Sequence, residues 1–474
     1  MIKFYLNGKF CEVDARHSTL MLSDYLRYEK CLTGTKVVCA EGDCGACTVL
    51  RYSPMLQGLE SENFQAVNSC IMPMAAMHGM HLITIEGLEK DQKMHQAQEK
   101  MMSCHGSQCG FCTPGFVMAL AGLSEEKINR NEKAIDPKEA KNALTGNLCR
   151  CTGYDTIVKA ACTMDLSREE SLKARYHNEE IEKHLSEILS KDLKIEESDY
   201  QLFAPTSYKS AIEYLQNNLD AKIIANATDL GVVHNKRRIK LNNLLSLHLI
   251  KEAYEITYKE GIVNVGARVT LSEFRHFLKD KCVEYVHYLD IFAAPQIKNN
   301  ATLIGNVATA SPIGDNAPIL LALDASVIIQ GPKGERVEKL SDFFLDYRKT
   351  TLKNDELISA ISFEIPKERT LKFFKNSIRK DLDISTINLG LNVKISNDKI
   401  EDILIGAGGI AAIPLKLRKT EDFLRGKKLE PSVIKQACDL AQTEYTPISD
   451  VRSTSSYRRV VFENVFTRAL GAMS

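Results

Sequence analysis

The stretch Cys39-Ala40-Glu41-Gly42-Asp43-Cys44-Gly45-Ala46-Cys47-Thr48-Val49-Leu50 decides how the chain begins. Its cysteines follow the spacing C-x4-C-x2-C, and 22 residues separate Cys47 from Cys70. Plant-type ferredoxins hold a [2Fe–2S] cluster with this spacing. Three thiolates on one short loop must point inward at a rhombic core, which bends the backbone tightly. Gly42 and Gly45 supply the permissive φ angles for that bend. Backbone N–H groups of the loop are then expected to reach the sulfurs and stabilise an anionic cluster. The competing readings are a structural zinc site and buried free thiols. Zinc sites favour paired C-x2-C knuckles over a loop of this kind, so iron–sulfur is preferred.

Working outward, the composition is that of an ordinary globular chain. Of its 474 residues, 44% are hydrophobic and 26% charged, which suggests about three domains. Basic and acidic residues number 61 each, so the formal charge is zero and nucleic acid is not expected as the main partner. No uncharged apolar run has membrane-spanning length, so no membrane association is expected. The opening MIKFYLNGKF lacks the charged and apolar regions of a secretory signal. A cytoplasmic location follows, and disulfides are rare there. The 14 cysteines therefore need metal-binding or packing roles. Cys11, Cys31, Cys104, Cys162, Cys282 and Cys438 have no partner at ligand spacing and read as small buried apolar residues.

Hydrophobic period and turn residues give the coarse organisation. Ile2–Leu6, Asn7-Gly8 and Lys9–Val13 read as a two-residue-turn hairpin. Residues 18–26 read as a short capped helix, and Thr48–Tyr52 and 81–85 as strands. From about 90 to 163 the pattern turns helical: residues 115–123 behind Thr113-Pro114, then 137–144 and 155–164. Residues 165–200 are charge-dense and read as a solvated, partly helical linker. Beyond 201, helix and strand alternate: helices at 207–217, 431–442 and 456–470, strands at 222–225, 262–267, 325–330, 389–395 and 400–405.

A second set of cysteines, Cys109-Gly-Phe-Cys112 and Cys149-Arg-Cys151, carries two common metal-ligand spacings. Each pair precedes a predicted helix, whose N-terminus favours a negative group. Spacing alone leaves zinc open here. SQCGFCTPGF (107–116) and TGNLCRCTGY (145–154), however, resemble the two signature segments of the molybdenum hydroxylases, the xanthine dehydrogenase/oxidase family. CAEGDCGACTVL and Cys70 match that family's first cluster segment in order. The resemblance implies two [2Fe–2S] clusters, one on Cys39, Cys44, Cys47 and Cys70, the other on Cys109, Cys112, Cys149 and Cys151.

Two further segments resemble the family's FAD domain. Ile223-Ile224-Ala225-Asn226-Ala227-Thr228-Asp229-Leu230 occupies the place of a loop that wraps the FAD pyrophosphate. Small residues let backbone approach phosphate, and turn N–H groups form an anion nest. Asn226 stands where a glycine is usual, and asparagine tolerates a left-handed φ better than other non-glycine residues. The segment from Phe292 to Asp315 resembles the second FAD loop, with Thr302, Gly305, Asn306 and Thr309 as implied contacts and Ile304 where the family has glycine. Asp315 is implied as a ribose partner, Phe292 as a surface beside the isoalloxazine, and Ile358 as a further contact. In FFKNSIRKDLDIS, Lys375, Arg379 and Asp383 fall where the family approaches the flavin, with Lys375 expected near the flavin carbonyl edge. A surface lysine is the alternative. Gly406-Ala-Gly408-Gly409-Ile-Ala411 fits the dinucleotide fingerprint, but Pro414 forbids the helix that must follow, so it reads as a glycine-rich turn.

The resemblance implies an α+β multidomain chain. It would comprise a β-grasp [2Fe–2S] ferredoxin-like domain (1–86), a four-helix [2Fe–2S] domain (87–164), a charged linker (165–200), a two-subdomain α/β FAD-binding domain (201–368) and a C-terminal α+β flavoprotein domain (369–474). No stretch matches the family's molybdopterin domains. The implied role is the electron-transfer small subunit of a xanthine dehydrogenase. A large molybdopterin-binding subunit would be its partner, in an (αβ)2 heterotetramer. Electrons from hypoxanthine or xanthine would pass through both clusters to FAD and on to NAD+, with no catalytic residue of the purine step in this chain. Alternatives are the same part of an aldehyde or N-heterocycle dehydrogenase, and a non-catalytic electron carrier or assembly scaffold.

Overall fold

The expected N-terminal hairpin forms. Strands β1 (Ile2–Leu6) and β2 (Lys9–Val13) pair antiparallel with Leu6 opposite Lys9. Asn7 and Gly8 take φ values of 50° and 76°, as a type I′ turn requires. The computed structural model describes residues 1–56, 64–237, 239–379 and 381–473. Two units emerge: one of Met1–Tyr254 with Thr270–Glu273 and Ala294–Ala301, the other of Glu255–Val269, Phe274–Ala293 and Thr302–Ser474.

In the first unit, β3 (Thr48–Tyr52), β4 (Gln65–Asn68) and β5 (His81–Ile83) complete a five-stranded sheet of order β2-β1-β5-β3-β4, in which β1 and β5 run parallel. The helix expected at 18–26 is shorter: α1 (Leu22–Asp24) runs into a wide π-type turn over Tyr25–Glu29. Side chains alternate across a strand, and here both faces are covered. Ile2, Phe4, Leu6, Val49, Val67 and Leu82 belong to one core; Tyr5, Leu50, Tyr52, Ala66 and Ile83 belong to another.

The second of these cores is filled by four helices, as expected: α2 (Gln96–Ser103), α3 (Thr113–Asn129), α4 (Pro137–Ala143) and α5 (Asp155–Cys162). Pro114 and Pro137 sit in first turns, where a missing N–H costs nothing. The first core is shared with an α/β subdomain made of β6 (Leu193–Glu197), β7 (Tyr200–Ala204), α8 (Tyr208–Asn217), β8 (Lys222–Ile224), α9 (Leu230–Arg237) and β9 (Asn243–Ser246), in strand order β6-β7-β9-β8. The later segment Ala294–Ala301, carrying helix α12 (Pro295–Lys298), returns to this unit.

The charged linker expected at 165–200 is instead a packed strap. Helices α6 (Leu172–Tyr176) and α7 (Glu179–Leu189) bury Leu172, Ile181, Leu185, Ile188 and Leu189, and β6 already belongs to the α/β sheet. The charges that suggested solvation lie mostly on the outer faces of these amphipathic helices. Two that do not are buried together: Arg175 donates to Glu169 at 2.7 Å and to the Leu88 carbonyl at 3.0 Å. Glu125 of α3 accepts the backbone N–H groups of Leu172 and Lys173 and so caps α6.

The second unit has a five-stranded antiparallel sheet of order β10-β11-β16-β12-β13, from β10 (Ile256–Lys259), β11 (Ile262–Gly266), β12 (Ser326–Gly331), β13 (Gly334–Lys339) and β16 (Leu357–Glu364). Between these strands in the chain lie α10 (Leu271–Leu278), whose first turn belongs to the first unit, α11 (Val283–Asp290), α13 (Leu303–Ala308), α14 (Asn316–Ala322), α15 (Leu340–Phe343) and the small pair β14 (Phe344–Asp346) and β15 (Lys349–Thr350). A second sheet, β17 (Thr370–Asn376), β18 (Ile387–Ser396), β19 (Lys399–Gly408) and β20 (Leu415–Lys416), packs with α16 (Arg418–Leu424), α17 (Pro431–Ala441) and α18 (Ser455–Gly471). The fingerprint-like glycines end β19, and no helix follows before α16. A Cβ on Gly406 would lie 2.0 Å from the Pro318 carbonyl oxygen, so this glycine lets α14 lie on the sheet.

Burial raises the Glu125 pKa to about 7, against 4.5 for an ordinary glutamate, although two backbone N–H bonds pull the other way. A carboxyl that is harder to ionise when folded contributes its full stability below pH 4.5 and loses it as pH rises through about 7. The expected loss is on the order of 3 kcal/mol. Glu125→Gln should flatten this slope, as read from denaturant midpoints across that window.

Candidate functional site

The first cysteine loop bends as its glycines suggested. Ala40, Gly42 and Gly45 have φ values of 54°, 77° and 69°. Cys70 enters from the tight turn Ser69–Ile71 that follows β4. The thiols associate in a connected set: Cys39 with Cys44 and Cys70, and Cys70 with Cys47. Hydrogen bonds received from Cys44 and Cys70 draw Cys39 far below the thiol range, and one from Cys70 lowers Cys47. The donating Cys44 and Cys70 are pushed up, Cys44 by its bond to Cys39 and Cys70 by its bonds to Cys39 and Cys47. The Cys44 N–H reaches the Cys39 sulfur at 3.4 Å, and the Asn68 side-chain amide approaches the Cys47 sulfur at 3.8 Å. Val37, Val232 and Ile297 pack around Cys47, Cys70 and Ile71.

The second set pairs Cys112 with Cys149 and Cys109 with Cys151. Cys112 is the N-cap of α3, and Tyr154, with φ 73°, is the N-cap of α5. Both helix N-termini therefore stand beside thiols, which favours negative charge there. Burial, helped by Cys149, pushes Cys112 up to about 12. Burial also acts to raise Cys149, but hydrogen bonds led by the Thr152 hydroxyl lower it overall; Thr152 Oγ1 donates to its sulfur at 3.2 Å.

Each set gathers four thiols, Cys39, Cys44, Cys47 and Cys70 in the first and Cys109, Cys112, Cys149 and Cys151 in the second, and an all-thiolate donor set of this kind fits the chemistry of [2Fe–2S]. The two loops touch. Leu148 N–H donates to the Cys44 carbonyl at 3.0 Å, and Asn147 Nδ2 to the Gly45 carbonyl at 3.1 Å. A Cβ on Gly45 would stand 2.3 Å from the Gly146 oxygen, and one on Gly115 would stand 2.3 Å from the Gly45 oxygen. Asn68, Asn147, Gly146 and Thr152 were not singled out from sequence. Only their adjacency to cysteines signals them.

The first flavin segment joins β8 to α9 through small residues. The left-handed residue is Ala227 (φ 60°), not Asn226. Asn226 is buried, and its amide donates to the Asn300 carbonyl at 2.7 Å. The role of Asn226 is thus a packed amide contact, not backbone freedom. A left-handed alanine among small side chains fits an anion nest. Ile223, Ile224, Thr228, Asp229 and Leu230 flank this turn.

In the second unit, Thr302 caps α13 by accepting the Gly305 N–H at 2.9 Å. Ile304 lies within that helix and has no positive φ, so glycine is not needed there for conformation. Asn306 Oδ1 accepts the Asn316 N–H, and Thr309 donates to the Asn306 carbonyl. Phe292 and Ile358 are buried. The Lys375 ammonium is fully buried and spends its three protons inside the protein, on Asp315 Oδ2 (2.7 Å), the Asp383 carbonyl (2.8 Å) and Ser385 Oγ (3.0 Å). Asp315 also accepts from Ser385 and from Asn388 at 3.0 Å. Sequence alone did not join these two residues. Arg379 forms an exposed ion pair with Asp383, whose pKa it lowers through that hydrogen bond. Of the six other cysteines, Cys282 and Cys438 are buried, whereas Cys31 is exposed and Cys11, Cys104 and Cys162 are half-buried.

Comparison with known proteins agrees with this arrangement. Residues 4–75 match the 2Fe-2S iron-sulfur cluster binding domain, and 84–162 the [2Fe-2S] binding domain. Residues 198–368 match the FAD binding domain in molybdopterin dehydrogenase, and 372–473 the CO dehydrogenase flavoprotein C-terminal domain. The chain belongs to the molybdenum hydroxylases. It carries their iron–sulfur and flavin domains. Xanthine dehydrogenase 1 of Arabidopsis thaliana is 31% identical over 93% of this chain and 37% of its own length. Xanthine dehydrogenase of Emericella nidulans is 29% identical over 90% and 35%. The chain thus spans little more than a third of these relatives. A carbon monoxide dehydrogenase from Hydrogenophaga pseudoflava (22% identity, TM-score 0.56) shares the fold over 59% of this chain and 98% of its own. So does quinoline 2-oxidoreductase from Pseudomonas putida 86 (23%, TM-score 0.54), over 58% and 97%. Among the described residues, no helix is long and apolar enough to cross a membrane.

Two changes probe these sites. Thr152→Val removes the hydroxyl donor to Cys149 and should lower the midpoint potential of the second centre by about 50 mV, followed by redox titration. Lys375→Met leaves the Asp315 carboxylate buried without its cation and should cost about 3–5 kcal/mol in denaturant unfolding.

Proposed function

We propose that this chain is the electron-transfer subunit of a xanthine dehydrogenase, carrying electrons from a partner molybdenum subunit to NAD+. The observation that supports it most directly is the hydrogen-bonded contact between the two cysteine loops, Leu148 N–H to Cys44 carbonyl. Bound, the two clusters would supply one-electron relay sites and the flavin would couple them to a two-electron acceptor.

The protein's own residues do the rest. Cys39, Cys44, Cys47 and Cys70 would hold the first centre, and Cys109, Cys112, Cys149 and Cys151 the second. The Cys44 N–H and the Thr152 hydroxyl hold negative charge on their sulfurs. Within the first unit, the small-residue turn at Ala225–Asp229 would take the FAD pyrophosphate. The buried Asp315–Lys375 pair fixes the strand carrying Lys375, so these residues act on the flavin environment by positioning it rather than by donating a free proton.

The second centre lies at the surface. Cys109 and Cys151 are exposed, with Phe111 (50% exposed) and the partly open Leu148 and Tyr154 beside them. This apolar rim supports a docking face for the large subunit, in an (αβ)2 assembly. Fold similarity to carbon monoxide and quinoline enzymes keeps a second reading, the same electron-transfer role serving another substrate.

Anaerobically purified protein should contain about four irons with matching sulfide, one FAD, and two distinct EPR signals after reduction. Cys109→Ser should remove one signal and spare the other. With its co-purified partner it should reduce NAD+ with hypoxanthine or xanthine. Activity only with an aldehyde, quinoline or carbon monoxide would move the assignment to the second reading. A zinc-containing or colourless preparation would overturn both.

A further inference from the structure

The first iron–sulfur pocket is not closed by the ferredoxin-like domain alone. Helix α9, which begins directly after the flavin turn, lies against it. The Asn235 amide nitrogen of this helix donates both protons, one to the Ala40 carbonyl at 3.0 Å and one to the Cys70 carbonyl at 2.7 Å. Ala40 adjoins Cys39, so the two bonds tie the helix to the backbone of both segments that carry the cysteines, at Ala40 beside Cys39 and at Cys70 itself. Ala40 also holds a left-handed φ of 54°, a conformation that alanine adopts only when its surroundings impose it.

Two independent contacts place the same helix there. A Cβ on Gly231 would stand 2.1 Å from the Ile71 carbonyl oxygen, so backbone meets backbone one residue after Cys70. Val232 packs into the apolar wall around Cys47, Cys70 and Ile71. The other end of the connection is short: Gly231 N–H bonds to the carbonyl of Ala227, the left-handed residue of the flavin turn, at 2.7 Å. Flavin turn, helix and cysteine pocket are therefore one hydrogen-bonded piece.

We propose that Asn235 is a positioning residue for the first iron–sulfur centre, and that through α9 it makes the geometry of that centre depend on occupancy of the flavin turn. This rests on the reading that Cys39, Cys44, Cys47 and Cys70 hold a cluster and that Ala225–Asp229 contacts FAD. Without the amide, two carbonyl oxygens beside the cysteines lose their donor and the left-handed Ala40 loses its support. The loop then samples other conformations and the irons become accessible.

The test uses the full holoprotein. Asn235→Leu, close in size but without donors, should shift the EPR g-values of the first centre. It should also release that centre's iron to a chelator about tenfold faster. The signal of the second centre stays unchanged and reports that the protein has folded. Asn235→Ser, which keeps one donor, should fall between, and it decides the matter if the leucine variant does not accumulate. Lys236→Met, which breaks only the surface pair with Glu41, serves as the control and should change neither quantity. Stripping FAD from the unaltered protein with a chaotropic salt should shift the first-centre spectrum, and the same treatment should shift it less in Asn235→Leu. Unaltered g-values and iron release in both Asn235 variants overturn the positioning role. A first-centre spectrum indifferent to FAD in the unaltered protein overturns the coupling. If the unaltered protein holds no first cluster, the underlying assignment fails and the proposal fails with it.

Discussion

Two cysteine loops from different domains meet backbone to backbone, and Gly45 and Gly115 permit it. Each stands where any side chain would strike a carbonyl oxygen. The approach is then fixed by the Leu148–Cys44 and Asn147–Gly45 hydrogen bonds. Electron exchange weakens steeply with separation, so an arrangement that brings two redox loops into contact constrains everything around them. The ferredoxin-like sheet must be covered on that side by helices, and α3 must begin at Cys112. The next segment of chain must then cross back without pushing the domains apart.

The strap at 165–189 meets that last demand. It could have been a loose tether, as its charge suggested. Instead it buries a leucine-rich face and closes polar contacts with the helical domain through Glu125, Glu169 and Arg175. A tether would let neighbouring domains wander, whereas a strap sharing both cores makes the first unit one cooperative body. The shared core is why domain borders drawn on sequence do not coincide with borders in packing: β6, inside the expected linker, is already a strand of the α/β sheet.

Electrostatics follow a similar logic in both units. Charge that must be held away from water is surrounded by fixed donors. Thiol sulfurs receive N–H or O–H donors, those of the second set stand beside helix N-termini, and the Asp315 carboxylate is met by Lys375, Ser385 and Asn388. Such groups are costly to bury alone and are tolerated because every partner is in place. Donors to sulfur tune how readily an iron–sulfur centre accepts an electron, and Thr152 and Asn68 are such donors.

The sequence by itself determined what is local. Spacing, together with the family resemblance, singled out eight cysteines as candidate ligands, the Asn7-Gly8 turn marked the first hairpin, and Thr113-Pro114 the start of α3, because each rests on short-range requirements written in neighbouring residues. The same locality exposed the fingerprint at Gly406 as a decoy. Only the tertiary structure decided which sulfurs associate, that α9 closes the first pocket, that Ala227 and not Asn226 takes the left-handed angle, and that Lys375 is bound to Asp315, 60 residues away. Those facts depend on contacts between distant segments. Such contacts leave no period or spacing in the chain, and the burial that creates them exists only once the chain has folded.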